Sequence, residues 1–193
     1  HQAAGSGHLE IVNALLDAGA DIDAVRGNGD RPIHSALMPH WSTPRDRTDA
    51  VVEQLLARGA RYTIFIAAAR GDIDYVRDAL ARDRSLANFE DDCHYRPISA
   101  AANRDDIEMV KLLLAHGANP ALPERGAERG HALWGAVHRR HREIVSLLLA
   151  HGADPNGMVE SSGTPMMQAQ NDPELSALLR AHGGHELKDD LAD

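Results

Sequence analysis

Apolar and polar positions recur along this chain in a fixed order. Four stretches can be laid under one another: HLEIVNALLDAGADID (8–23), DAVVEQLLARGARYT (49–63), DIEMVKLLLAHGANPA (106–121) and HREIVSLLLAHGADPN (141–156). Each carries an apolar pair, Leu-Leu three residues later, and then Gly-Ala. That spacing predicts helices with Ile11, Leu15 and Leu16 on one face, and Ile144, Leu148 and Leu149 on the matching face of another. Gly19, Gly59, Gly117 and Gly152 follow the last turn, where a left-handed cap is wanted and glycine adopts it without a Cβ clash. Upstream of each helix the pattern predicts a shorter, Ala-rich one: QAAGSGH (2–8), IAAARGD (66–72), SAAANRDD (99–106) and GAVHRRH (135–141). Turn-like openings RPIHSA (31–36), RPISAA (96–101) and TPMMQA (164–169) place proline in a first turn, where its missing N–H costs little.

These residues resemble the ankyrin repeat, whose signature is T-P-L-H-x-A over a period of about 33 residues. RPIHSA at 31–36, GHLEIVNALLDAGADIDA at 7–24 and TPMM at 164–167 match best, and the resemblance covers nearly the whole chain. It implies an all-α solenoid with short β-hairpins, one hairpin and two antiparallel helices per repeat, stacked into a curved slab. It also implies a non-catalytic scaffold that binds another protein through the concave face of hairpin tips and first helices.

Register exposes the departures. The family's His slot precedes the Gly-Ala glycine by 18 residues, as His1 to Gly19, Ser99 to Gly117 and Trp134 to Gly152 do here. His34 to Gly59 spans 25, so MPHWSTPRDRTD (38–49) holds a seven-residue insertion between paired helices. Only six positions separate Gly59 from Phe65, so the third repeat lacks most of its hairpin. It closes with ARDRSLANFEDDCHYRP (81–97), which resembles the A-x-D-P-x-L-x-N ending of bacterial ankyrin proteins. The expected domain is 1–184, with repeats at about 1–25, 26–59, 60–89, 90–122, 123–156 and 157–184, then an acidic tail at 185–193. The chain opens on His1 with Leu9, Ile11 and Leu15 wanting a neighbour, which predicts at least a hairpin upstream.

Composition narrows the function classes. Aromatics make up 4% of residues, so the core must be aliphatic, which suits closely stacked helices. A formal charge of −9 argues against general nucleic-acid binding. Cys93 is the only cysteine, which excludes an intrachain disulfide and fits a reducing cytoplasm, with an upstream signal peptide left open. No apolar run reaches the length that spans a bilayer. A monomer with no cofactor, no metal and no membrane partner is expected.

The twelve histidines invite a metal reading that the spacing does not support. His116, His151 and His182 share one slot per repeat, too far apart to share an ion, at helix ends that favour imidazole. His138 and His141 sit at i, i+3, but a zinc site needs three or four ligands. Asp91-Asp92 and Asp105-Asp106 read as turn and cap residues. No phosphate loop or nucleophile elbow is present, and Cys93 beside His94 is not a dyad by adjacency.

Carried over residue by residue, the family's binding surface would include Asn28, Asp30 and Arg31 at one tip, and His94, Tyr95 and Arg96 at the next. Asn103 and Arg104 follow on a first helix, and Arg129, His131, Trp134, His138 and Arg139 in the fifth repeat. Trp134 replaces the family's His and is either core filler or an exposed anchor. Arg125, Arg129, Arg139, Arg140 and Arg142 against Glu124 and Glu128 make a local basic island, either a carboxylate- or phosphate-recruiting patch or a solvated face. Trp41 in the insertion either meets a partner or packs over the missing hairpin of the third repeat. Two other readings stay open: an enzyme or small-molecule or metal binder using the His/Arg-rich face of the fifth repeat, and an accessory domain of a longer chain.

Overall fold

A computed structural model describes residues 1–38 and 43–186. Among them the helices come in pairs: α1 (Gln2–Gly5) with α2 (Leu9–Asp17), α3 (Pro32–Leu37) with α4 (Arg45–Ala57), and α5 (Ile64–Arg70) with α6 (Ile73–Arg82). A 3₁₀ turn at Arg84–Asn88 follows. Then come α7 (Pro97–Asn103) with α8 (Ile107–Ala115), α9 (Ala132–His138) with α10 (Arg142–Ala150), and α11 (Pro165–Ala169) with α12 (Pro173–Ala181). The chain divides into two compact units, His1–Ile66 and Ala67–Asp193, the division falling inside α5. The expected hairpins are reduced to tight turns. Among the described residues the ladder amounts to two isolated antiparallel bridges, Glu124 with Ala127 and Val159 with Gly163.

Local chemistry explains the ends of these helices. Pro32, Pro97 and Pro165 open three of the short helices. Asp72, Asp106 and Asp172 cap longer ones, each carboxylate accepting the backbone N–H three residues on (3.2, 3.0 and 3.2 Å). Gly19, Gly59, Gly117, Gly152 and Gly183 all lie beyond a helix end with φ between +86° and +93°. His116, His151 and His182 repeat one device: Nδ1 lies 2.9, 2.8 and 3.0 Å from the carbonyl of the residue four before. Each ring adds a bond to a last-turn carbonyl, and Leu112 and Leu147 also accept the backbone N–H of His116 and His151 (both 3.2 Å), so the ladder serves the fold.

In the second unit Leu80, Ile98, Met109, Leu113, Ile144, Leu148, Leu175 and Leu179 are fully buried. α7 packs on α9, and α9 on both α10 and α11. Truncating one such side chain, for example Leu148→Ala, costs about 2–5 kcal/mol. The same slots are open in the first helix pair, where Ile11 and Leu15 are 51% and 48% exposed. Side-chain amides tie neighbouring repeats together. Asn88 donates to the Gly117 carbonyl (2.8 Å) and accepts from Asn119 N–H (2.7 Å). Asn156 does the same to Gly183 (3.0 Å) and His185 (3.0 Å).

The insertion resolves differently from a plain loop. Its second half is helical: α4 is 13 residues long where α2, α8, α10 and α12 have nine. Pro44 sets the extended backbone ahead of it, and buried Thr48 returns its hydroxyl to the Arg45 carbonyl (3.0 Å). This extra turn packs on the α1–α2 loop of its own unit, where a Cβ on Gly7 would meet Arg47 Cβ at 2.6 Å. Trp41 lies outside the described residues. Among those described, no helix is long and apolar enough to cross a membrane.

Candidate partner-binding surface

The first-unit tip is tied to itself. Asn28 donates to the Asp30 carboxylate (2.7 Å) and accepts from Asp30 N–H (3.1 Å), while the Arg31 guanidinium donates to the Asp23 carbonyl (3.4 Å). In the second unit successive tips are hydrogen-bonded sideways: Arg125 N–H donates to the His94 carbonyl (2.9 Å) and Glu160 N–H to the Gly126 carbonyl (2.8 Å). His94 stands out at the first of these with its ring on Glu90 (2.5 Å), and Tyr95 carries the Arg125 guanidinium over its face at 5.8 Å. Arg96 departs from the expected exposed tip. It is 8% exposed, and its guanidinium is used inward by the carbonyls of Pro123 (2.9 Å) and Asn88 (2.5 Å) and by Glu90 (2.6 Å).

Three first helices of the second unit lie side by side as α7, α9 and α11. Asn103 on α7 approaches α9 so closely that a side chain on Gly135 would collide with it. Trp134 and His138, one turn apart on α9, stack with ring centroids 4.9 Å apart and planes 9° apart. His131 leans on the same indole at 5.5 Å and 46°. On the far side His138 Nδ1 meets Gln168 Oε1 of α11 at 3.1 Å. Trp134 is half-buried, so both sequence alternatives hold in part: its Nε1 edge is enclosed, yet the ring forms part of the surface. That enclosed N–H has no acceptor, and neither does the donorless Oδ1 of Asn103 have a donor. Each such group costs about 1–3 kcal/mol.

The basic island is less concentrated than the sequence suggests. Arg142 is held by Asp172 (2.8 Å) and Glu174 (3.1 Å), and Arg129 by Asp154 (2.8 Å), so acids from farther along the chain offset them. His138 and His141 take different partners, Gln168 and Asp105 (3.1 Å), rather than converging on one point. Burial, and then the Arg139 charge, hold the His131 imidazole below its usual range. Arg104 and Arg139 remain exposed at the ends of α7 and α9.

Glu124 is the residue that sequence reading placed wrongly, as one acid among surface charges. It is 7% exposed. Its Oε2 accepts Arg96 N–H (3.2 Å), and its Oε1 accepts His131 N–H (3.3 Å) and the Ser99 hydroxyl. Burial pushes this carboxyl up to about 7, and the three donors and the Arg96 charge hold it from rising further. Beside it lies a cleft of about 620 Å³ lined by Glu128, Arg129, Asn156, Met158, Glu160 and His185.

Two ankyrin-repeat family models match the chain, one of three copies over residues 64–159 and 100–189, the other of many copies over residues 1–39. The chain belongs to the ankyrin-repeat family. An ankyrin repeat-containing protein of Treponema pallidum (strain Nichols) is 30% identical over 130 residues, covering 62% of this chain and 41% of that protein. The chain thus spans less than half the length of that relative. The solved structure of an ankyrin repeat domain from Acinetobacter baumannii AYE is 23% identical, with a TM-score of 0.57, over 96% of this chain and 97% of the other. That likeness is one of fold.

Ankyrin register gives Glu124 its meaning. In the second repeat the family histidine is present, and His34 Nδ1 accepts the N–H of the cap residue Arg31 at 3.1 Å. The same slot in the next two intact ankyrin repeats holds Ser99 and Trp134. Their cap residues are Arg96 and His131, the two whose N–H groups Glu124 accepts. One buried carboxylate therefore stands in for two missing histidines. The available signal was negative: an unfilled acceptor slot at 99 and 134 requires an acceptor from elsewhere.

Proposed function

We propose that residues 1–184 form one repeat array, with boundaries at about 1–25, 26–59, 60–89, 90–122, 123–156 and 157–184, that binds another protein and catalyses no reaction. Ankyrin repeats generally mediate protein–protein interaction, and the family is typically non-enzymatic. The observation that carries the reading is Trp134. A histidine in its slot would accept the N–H of its own cap residue, as His34 does. The chain instead keeps an indole with an unpaired donor, stacked on His138 at the surface between α7 and α11. Tryptophan at such a surface is the residue type most enriched among binding hot spots.

The binding surface in this reading comprises Asn103, Arg104, Arg129, His131, Trp134, His138 and Arg139. The tips add Asn28, Asp30, Arg31, His94 and Tyr95, and Trp41 is included by residue type alone. Arg96 is omitted because its guanidinium is spent on Pro123, Asn88 and Glu90. The array is read as a cytoplasmic monomer, which the lone buried Cys93 suits. Affinity capture tests this with the natural chain beside a Trp41→Ala, Trp134→Ala variant of matched melting temperature. The variant should lose the captured protein, and equal capture of the same protein by both would refute the placement.

A further inference from the structure

We infer that Asn28 is a site of spontaneous modification: its amide is lost by cyclisation onto the Gly29 nitrogen, leaving aspartate or isoaspartate at the first-unit tip. The chemistry is independent of the scaffold reading. The chain contains two Asn-Gly dipeptides, at 28–29 and 156–157. Glycine matters at the second position because no Cβ crowds the backbone nitrogen that must reach the asparagine carbonyl carbon. A base in solvent takes the Gly29 amide proton, the nitrogen bonds to Asn28 Cγ, and the Cγ–Nδ2 bond breaks. The side-chain nitrogen leaves as ammonia, with a proton from water. Water then opens the cyclic imide at either carbonyl, so asparagine plus water gives aspartate or isoaspartate plus ammonia.

The two dipeptides differ at the side chain and not at the nucleophile. Both glycine N–H groups close a turn on the carbonyl three residues back, Gly29 on Arg26 (2.9 Å) and Gly157 on Asp154 (3.2 Å). Each asparagine Oδ1 also accepts one backbone N–H, from Asp30 (3.1 Å) or from His185 (3.0 Å), so polarisation of the carbonyl is common to both. What separates them is where the amide is tied. Asn28 is exposed, and both its side-chain bonds go to Asp30, two residues on, so turning the amide disturbs only its own turn. Asn156 is half-buried and reaches Gly183 and His185 (both 3.0 Å). Its amide turns only if the next repeat lets go.

The product changes the tip. Asn28 Nδ2 donates to the Asp30 carboxylate at 2.7 Å, and a carboxylate at 28 sets two like charges there instead. Isoaspartate also routes the backbone through the side-chain carbon, lengthening the turn that Arg26 N–H closes on the Asp30 carbonyl (2.9 Å). His1 Nε2 meets the same carbonyl at 2.8 Å, so the residue that caps α1 shares the change.

Incubation of the natural chain in mildly alkaline buffer, beside a sample in urea, tests the inference by tryptic mass mapping. Peptides 27–45 and 143–180 report the two asparagines separately, and fragmentation places the gain of about 1 Da on residue 28 or 156. In the folded chain position 28 should convert about ten-fold or more faster than position 156, which must first open its bonds to the next repeat. In urea the two should convert within about two-fold of each other, because only the dipeptide remains. An isoaspartate-specific methyltransferase should label peptide 27–45 of the folded chain. Asn28→Gln, whose imide would be a larger and slower-forming ring, should abolish that label without moving the melting temperature. No conversion at 28 in the folded chain, or conversion at 156 that keeps pace with it, would overturn the inference. So would a gap that persists undiminished in urea, because flanking sequence and not the fold would then set the preference.

Discussion

Replacing Glu124 by Gln should change how stability depends on pH, and the size of that change follows from its surroundings. Burial pushes the carboxyl up to about 7 in the folded protein, against 4.5 for an unperturbed glutamate. At about 1.4 kcal/mol for each pH unit, that difference corresponds to about 3.5 kcal/mol. Because the folded value is the higher one, the folded state binds the proton more tightly. The stabilisation is therefore complete below about 4.5 and is lost as pH rises through about 7. Three donors converge on the carboxylate, so Gln will not be silent even at low pH. Its amide must turn an N–H₂ toward Ser99 or toward a cap N–H, an offset of about 1 kcal/mol.

The informative quantity is the difference between the two proteins, not either curve alone. His131, whose imidazole is held low, adds an opposite slope: its contribution is lost as pH falls below its ordinary range. Asp172, held low by the Leu175 N–H first among its causes, loses its contribution at still lower pH. Both are common to wild type and variant and cancel. Urea unfolding at pH 5, 6, 7, 8 and 9 should show Glu124→Gln less stable at pH 5. It should gain about 2–3 kcal/mol relative to wild type by pH 9. Parallel curves, differing by a constant to within about 0.5 kcal/mol, would show that Glu124 ionises normally and that the burial argument is wrong.

Glu124→Ala should destabilise by about 2–4 kcal/mol, leaving the Arg96 and His131 N–H groups orphaned, and Trp134→His should recover about 1 kcal/mol of it by supplying a local acceptor for His131 N–H. Additive single and double variants in thermal unfolding would refute the shared-acceptor account. Trp134→Phe removes an unpaired donor while keeping a ring on His138, so its melting temperature should match or exceed that of the natural chain; a drop of several degrees would mean the indole N–H has an acceptor. Asn156→Ala should cost about 1–3 kcal/mol and speed hydrogen exchange at the His185 amide, since one side chain makes both bonds to the next repeat. Gly152→Ala has open space around the new Cβ but keeps φ at +86°, so about 1 kcal/mol is expected in denaturant midpoint, and a neutral result would mean the cap had relaxed.

The repeats were legible because their cause is periodic. Leu148 and Leu113 are buried for the same reason at the same register, and Gly117 and Gly152 end helices by one mechanism, so each copy supported the reading of the others. What lay beyond the sequence was not periodic. Arg96 reads as a tip residue by register, and only the approach of Pro123 and Asn88 reveals that its guanidinium turns inward. The charge sum over 124–142 suggested an island, but Asp154, Asp172 and Glu174, which offset Arg129 and Arg142, belong to later segments. The seven-residue insertion could be counted, yet its conversion of four residues into extra helix on α4 depends on packing against Gly7.

The two least predictable features are linked, and the link explains why the surface could change. A histidine at the fourth position of each opening motif is a local solution: it closes its own cap, and nothing else can occupy the slot. Once Glu124 accepts the cap N–H groups of both α7 and α9, positions 99 and 134 lose that duty. Ser99 turns its hydroxyl to the same carboxylate, while position 134 becomes free to hold a side chain chosen for the surface. The indole then stacks on His138, which in turn engages Gln168 of the following helix. A single buried acid thus frees a structural slot for a surface side chain, which the proposed binding reading uses for recognition, and its cost falls on stability above neutral pH. On this argument the Trp134→His, Glu124→Gln double variant should be at least as stable at pH 8 as the natural chain and should have lost its partner. The scaffold would then have been returned to the plainer form of its family.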